Sequence, residues 1–357
     1  MGWGGEYARE PARRSAPTAM EHDLITLGRC GMDLFSQDIG APFAAITGFD
    51  AHIGGSPTNI AVAASRLGLR TALLTAVGPD LVGDFVLAHL AAEGIATDFI
   101  PRKPGTKTGL AIVGVEPPDR FPLVFYRDNP ADIWLDVDDV KAAPLTQTRA
   151  LLLSGTALSR GSCPEATLYA AEQAHAAGVT TYVDLDLRPD QWAAPAAFRA
   201  ALARLLPLVD VIIGTEEETY ALLGAAPETV FAGRRLEAAQ ISELDGAIDA
   251  FHATTPASTL VLKRGPRGAT VHRAQQAPLA VAGFPVTVLN TVGAGDAFAG
   301  GLIYGRCQGW DWPASVRLAN ACGAIVVTRH GCAAAMPRLA EVETFISNLQ
   351  VRLEIGD

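Results

Sequence analysis

The sequence predicts an α/β fold: a mostly parallel central sheet with helices on both faces and a small β-sheet added beside it. Three observations predict it. Short apolar runs alternate with helix-like segments over most of the 357 residues. The helical segments carry apolar residues at helical spacing and close on a glycine. Two stretches then break this rhythm with β-rich runs that have no helix between them.

In chain order, the buried-strand candidates are "DLITLG" (23–28), "TALLTAV" (71–77), "ALLLSG" (150–155), "TTYVDLD" (180–186), "DVIIG" (210–214) and "TLVLKRG" (259–265). Between them, "NIAVAASRLG", "LVGDFVLAHLAAEG" and "PEATLYAAEQAHAAG" read as amphipathic helices. The irregular stretches are residues 41–53 and 107–127, the second with the turn signal "EPPDRFP". Both are expected to build the small sheet, a lid over a ligand cleft; the alternative is that they are ordinary edge strands. Residues 1–20, "MGWGGEYAREPARRSAPTAM", read as a disordered extension without the apolar core of a secretory signal, with Met20 a candidate start. Residues 21–357 then form one domain.

Bulk properties exclude several classes. With 49% hydrophobic and 18% charged residues, the chain can bury a large core. A net charge of −10 argues against a nucleic-acid partner, although a few local arginines could still hold a small anion. Five cysteines without a C-x-x-C pair suit a reducing, cytoplasmic compartment, and seven scattered histidines give no zinc pattern. No uninterrupted apolar run reaches the roughly 18 residues of a membrane span.

The chemistry concentrates in "NTVGAGDAFAGG" (290–301), between the apolar run "FPVTVL" and a predicted helix. Phe298 stands where a dinucleotide fingerprint needs its third glycine, and neither a P-loop nor G-x-S-x-G is present. Glycines let backbone N–H groups converge at a helix's positive end, which makes an anion hole. Asp296, beside it, could accept a proton from an attacking hydroxyl, and that pairing suits phosphoryl transfer. The bland reading is a glycine-rich helix start with a capping acid. A second glycine-led helix start, "GGSPTNIAVAASRLG" (54–68), offers Gly54, Gly55 and Asn59 to a hydroxyl-rich ligand. Asp33, just after the first strand in "GRCGMDLF", reads singly as a turn residue and, taken with Asn59, as a ligand contact at the edge where open α/β sheets bind ligands.

Together, these two motifs resemble the signatures of the PfkB carbohydrate-kinase (ribokinase-like) family, in matching order and separation, over residues 23 to 348. The resemblance implies a three-layer ribokinase-like sandwich that phosphorylates a sugar hydroxyl with ATP and Mg²⁺. It implies Asp296 as base, an oxyanion hole from the N–H groups of Val292, Gly293, Ala294 and Gly295, and Asp33, Gly54, Gly55 and Asn59 as substrate contacts. "GTEEE" resembles the family's N-x-x-E segment, with Thr215 in place of Asn and Glu218 acting on Mg²⁺ indirectly. "KRGPRG" (Lys263, Gly265, Gly268) resembles the loop near the nucleotide, and "NACGA" (Asn320) the helix start flanking the adenine. Asn290 stands where many members carry Asp, which leaves a K⁺ site in question.

Two arginines narrow the substrate. "VFYRDNPAD" places Tyr126 and Arg127 at the end of a lid strand, and "DLDLRPDQW" places Arg188 past a core strand. Two guanidinium forks in one cleft would favour a sugar acid over a neutral sugar. Alternatively, Arg127 pairs with Asp128 or Asp132, and Arg188 with Asp190, as salt bridges. Both segments resemble the carboxylate-binding parts of keto-sugar-acid kinases. "EHDLITLGR", "LLLSGTALS", "VIIGTEEE" and "TRHGCAAAMP" resemble the family's inositol-catabolism branch, which implies 5-dehydro-2-deoxy-gluconate as substrate. Kinases of 2-keto-3-deoxygluconate and fructose are the lower-ranked relatives. A Rossmann oxidoreductase, a nucleoside kinase and a non-catalytic sugar-acid sensor are the competing classes. Lid strands of this kind suggest a homodimer.

Overall fold

A computed structural model gives the structure of the protein and describes residues 20–117, 120–255 and 258–355. The expected N-terminal extension therefore lies outside the described residues, save Met20. Twelve strands follow one another along these residues: β1 (His22–Leu27), β2 (Gly31–Ser36), β3 (Phe49–Gly54), β4 (Thr71–Leu74), β5 (Gly109–Val113), β6 (Leu123–Tyr126), β7 (Thr148–Ser154), β8 (Thr180–Asp184), β9 (Val211–Thr215), β10 (Thr259–Lys263), β11 (Ala269–His272) and β12 (Leu279–Val281).

Eight of them form the central sheet, in the order β12-β11-β10-β9-β8-β7-β1-β4. From β4 to β10 neighbours are parallel, and β11 and β12 finish one edge antiparallel. Alternate side chains enter separate cores on the two faces. Leu24, Leu152 and Val261 point to one, while Ile25, Leu151 and Leu260 point to the other. With both faces covered by helices, the strands read as continuous apolar runs rather than alternating ones. The helices Ser56–Leu67 and Cys163–Ala177 close on Gly68 and Gly178, whose φ values of 112° and 72° suit glycine.

The four remaining strands make a separate sheet in the order β3-β2-β5-β6, with β2 and β5 parallel. Here sequence reading misplaced two features. Residues 31–36 form a full lid strand, so Asp33 lies within β2 rather than in a turn. The stretch 41–48 holds only a short turn at Phe43–Ala45, and β3 begins at Phe49. Its backbone is tied down by a side chain instead of a ladder: Asp38 Oδ2 accepts from Thr47 N at 2.6 Å and Thr47 Oγ1 at 3.0 Å.

Two further differences concern helix starts. "FPVTVL" forms no strand; Leu289 N and Asn290 N both donate to Val327 O, at 2.7 and 3.1 Å, holding the segment against a helix end. Asn320 lies inside the helix Trp312–Val326 rather than at its start. That helix begins earlier because Asp311 caps it, accepting from Ala314 N, with Pro313 in the first turn.

Candidate active site

A cavity of about 390 Å³ lies between the carboxyl ends of the central strands and the lid sheet. β1 pairs with β7 on one side and β4 on the other, so the chain departs in opposite directions around it. Such a switch point leaves a crevice at the strands' carboxyl ends. Arg29, Asp184, Thr215 and Lys263, at or just past the ends of β1, β8, β9 and β10, all line the cavity.

Asp296 occupies the first turn of the helix Ala294–Cys307, which follows Gly293 in the left-handed region (φ 87°). Its two carboxylate oxygens each receive one donor from the facing helix. Ser56 Oγ donates to Oδ1 at 2.7 Å and Asn59 Nδ2 to Oδ2 at 2.8 Å. Asn59, expected on the substrate, thus gives its amide nitrogen to the acid, while its Oδ1 has no partner among the described residues. Burial, reinforced by the nearby Asp186 charge, raises the proton affinity of Asp296, and the Asn59 and Ser56 hydrogen bonds oppose this. The geometry supplies an oriented carboxylate with unused lone pairs, able to hold and accept a hydroxyl proton.

Beside it lies the glycine turn. Val292 N donates to Asn290 Oδ1 at 3.0 Å, so this amide, expected in the anion hole, is committed within the protein. Ala294 N reaches back to Thr291 O at 3.4 Å. The amides of Gly293 and Gly295 have no acceptor among the described residues. Asn290 is fully buried, and its Nδ2 donates to Gly331 O at 3.0 Å, which clasps the turn from both sides. A Cβ on Gly293 would meet Cys332 Sγ at 2.4 Å, so glycine is required there by space as well as by φ.

Lys263 lies under the turn, 3.0 Å from Asp184 Oδ2 and 3.9 Å from Glu218 Oε2. Those carboxylates hold it cationic despite burial, and a Cβ on Gly295 would stand 3.3 Å from its Nζ. Burial pushes Asp184 toward protonation, and the Lys263 charge works against it. Thr215 caps the helix Glu216–Leu223 in a reciprocal box: its Oγ1 accepts from Glu218 N, and Glu218 Oε2 accepts from Thr215 N at 2.8 Å. Thr therefore performs the capping that Asn would at this position. Glu218 Oε1 also accepts from Leu187 N at 3.2 Å, which ties this segment to the one carrying Arg188.

At the lid end, Asp33 faces the cavity with no hydrogen-bond partner among the described residues. Burial raises its pKa to about 6, against the pull of Arg29. Gly54 makes room for it, since a Cβ there would fall 1.9 Å from Asp33 Oδ2, and Gly55 (φ 103°) packs on Arg29 O. Strand alternation places Leu123, Phe125 and Arg127 over the cavity and turns Tyr126 away from it. Tyr126, expected beside the substrate, is 60% exposed on the outer face of the lid.

The two expected arginines do line the cavity, and both are paired. Arg127 Nη2 donates to Asp132 Oδ1 and Oδ2 at 2.7 and 3.0 Å, inside the protein rather than at its surface. Arg188 Nη2 pairs with Asp186 Oδ1 at 3.0 Å, not with Asp190. Gly265, Gly268 and Asn320 lie outside this cavity; Asn320 Nδ2 donates to Val281 O and Ala282 O, fixing the end of β12. Sequence reading missed Arg29, Ser56, Asp184 and Asp186. The usable signal was their position at strand ends or beside Gly55, in segments already singled out.

The PfkB family carbohydrate kinase model matches residues 22–339. The chain belongs to this family. It is similar to the 5-dehydro-2-deoxygluconokinases of Geobacillus thermodenitrificans (strain NG80-2), 33% identical over 92% of this chain and 94% of that protein, and of Bacillus thuringiensis (strain Al Hakam), 35% identical over 92% and 96%. Among solved structures, it resembles a ribokinase II from E. coli, with a TM-score of 0.77 and 28% identity over 91% of this chain and 99% of that one. It also resembles the Vibrio cholerae O395 fructokinase in its fructose-, ADP- and calcium-bound form, with a TM-score of 0.75 and 26% identity over 90% and 98%. The protein is therefore a carbohydrate kinase, with the ribokinase-like α/β fold and its smaller separate sheet. The same E. coli protein has been solved with ATP and Mg²⁺, which supports the use of ATP and a divalent ion. Among the described residues no helix is long and apolar enough to cross a membrane.

Proposed function

We propose that this kinase transfers phosphate from ATP to the terminal hydroxyl of a keto sugar acid, 5-dehydro-2-deoxy-D-gluconate, giving the 6-phosphate within myo-inositol catabolism. One observation carries the reading: the same cavity holds the Asp296 carboxylate, open helix-start amides and the guanidiniums of Arg29, Arg127 and Arg188. The names of the 33–35% identical relatives support the same acceptor. Five free cysteines suit a reducing, cytoplasmic setting for it.

The residues fit the nucleotide's terminal phosphate at the Gly293 and Gly295 amides, above the Lys263 ammonium. When bound, ATP supplies the electrophilic phosphorus and, with its divalent ion, neutralises charge. Among the described residues no cluster of three or more His, Cys, Asp or Glu could hold a metal, so Mg²⁺ would rest on phosphate oxygens and water, with Glu218 acting through water. The Asn290 amide is committed to Gly331 and Val292, so a K⁺ ion here would rely on backbone carbonyls alone.

In this reading, Asp33 and Asn59 Oδ1 accept hydrogen bonds from the acceptor's hydroxyls, and the lid excludes water. Asp296 holds the reacting hydroxyl and takes its proton late, as the alcohol becomes acidic in a loose transition state. Because burial pushes the Asp33 pKa up to about 6, kcat/KM for the acceptor should fall as pH drops through that value, as the carboxylate is protonated and loses acceptor capacity. The Asp33→Asn variant should lack that acid limb; a retained limb would assign it elsewhere.

ADP release across 5-dehydro-2-deoxygluconate, 2-keto-3-deoxygluconate, D-fructose and a nucleoside tests the assignment. The first should give the highest kcat/KM by at least about tenfold, or about 1.4 kcal/mol. Similarity to a fructose-bound fructokinase makes fructose the second reading, and equal turnover of fructose would favour it. We further propose a homodimer formed through the lid sheets, because Val124 and Tyr126 leave apolar surface exposed on the outer lid face. Sedimentation at the mass of one chain would rule it out.

A further inference from the structure

Three guanidiniums line the cavity, and the protein does not use them equally. Arg127 is committed: Nη2 to both oxygens of Asp132 and Nη1 to Cys30 O at 3.5 Å. Arg188 is committed as well, with Nη2 to Asp186 and Nη1 to Leu187 O at 3.3 Å. Arg29 differs. Among the described residues its side chain makes one long hydrogen bond, Nη2 to Asp186 Oδ1 at 3.3 Å, and its Nη1 has no acceptor. All three arginines leave Nε buried without a partner among the described residues, so Nη1 is what sets Arg29 apart.

A guanidinium that is 92% buried with an unused N–H edge is costly unless a ligand completes it. Everything around Arg29 holds that edge in place. It follows β1 at the switch point, its carbonyl accepts from Thr58 Oγ1 at 3.2 Å, and its Cζ lies 5.7 Å from the centre of the Phe125 ring on the lid. Asp186, which holds Nη2, is itself fixed by Ser154 and Thr156 at 3.0 and 3.2 Å. Asp186 also adopts φ 35°, a backbone state that non-glycine residues enter only when the surroundings impose it.

We infer that Arg29 is the specificity-determining cation of the acceptor site, its Nη1 binding a carboxylate or keto oxygen of the acceptor, distinct from the hydroxyl that Asp296 faces. Arg127 and Arg188 then act as the walls that shape this pocket, Arg127 neutralised by Asp132 and Arg188 sharing Asp186 with Arg29, at the shorter distance. The inference rests on the sugar-acid reading above and deepens it, because it names the group that reads the acid.

The test compares wild type, Arg29→Met and Arg29→Lys with 5-dehydro-2-deoxygluconate, D-fructose and ATP. Loss of one charge-assisted bond should raise the KM for the sugar acid about 20-fold or more in Arg29→Met, with the KM for ATP within about threefold. The preference for the acid over fructose should fall by about tenfold. Arg29→Lys keeps the charge without the planar fork and should raise the acid KM about fivefold; it decides the matter if the Met variant does not fold. Unchanged acid KM in both variants, or equal rises for acid and ATP, would overturn the role given to Arg29 and leave the sugar-acid reading standing. A wild-type enzyme that turns over fructose as well as the acid would overturn both.

Discussion

Asp296→Asn should lower kcat by about 10³-fold while ATP binding stays within about threefold of wild type. Positioned general bases contribute roughly 10²–10⁴-fold, and Asp296 is the carboxylate that the facing helix orients. The substitution is nearly isosteric. Asn at 296 can still accept from Asn59 Nδ2 through its carbonyl oxygen, so the helix start and its free amides should keep their shape. What disappears is the capacity to take a proton. Separate measurements of nucleotide affinity and single-turnover chemistry check this, because the amides of Gly293 and Gly295 and the Lys263 ammonium are untouched. Turnover within about tenfold of wild type, a barrier change of about 1.4 kcal/mol, would remove Asp296 from the role of base.

Arg127→Ala should have the largest effect on stability. Asp132 is only 3% exposed, and removing Arg127 leaves its carboxylate with a single protein donor, Cys30 N at 3.1 Å. Breaking one side of a buried pair costs about 3–5 kcal/mol, whereas an exposed pair is worth at most about 1 kcal/mol. A fall in Tm on the order of 5–10 °C is expected, with much of it recovered when Asp132→Ala is added, as a double-mutant cycle would show. The same variant separates two roles. An Arg127→Ala protein as stable as wild type, with acceptor KM raised far more than ATP KM, would make substrate the arginine's principal partner and Asp132 incidental.

These two residues mark the boundary of what the chain reveals by itself. The Asp296 turn is local: glycines, an acid and a helix start lie within a few residues, so its geometry follows from neighbouring dihedral angles. The same holds for the Thr215–Glu218 capping box and for the alternation of strands and helices. Arg127 is different. A choice between Asp132 and a ligand depends on which group the fold buries beside it, and spacing of five residues cannot say. The turning of Tyr126 to the outer lid face depended on a strand phase that the sequence left open. β2 was missed because a six-residue strand directly after β1, with Asp33 at its middle, looks like a turn until its partners β3 and β5 are known.

The chain alone determined the α/β class, the two glycine-led helix starts and the place of Asp296 in the first turn of one of them, because each is written within one turn or one strand. Only the tertiary structure decided which charges meet. Arg29, Asp186 and Asp296 come from segments far apart in the chain and are brought to one cavity by the order of the strands. In a buried setting, a charge's role is set by the partner that is left to it, and that partner is chosen by packing rather than by sequence distance.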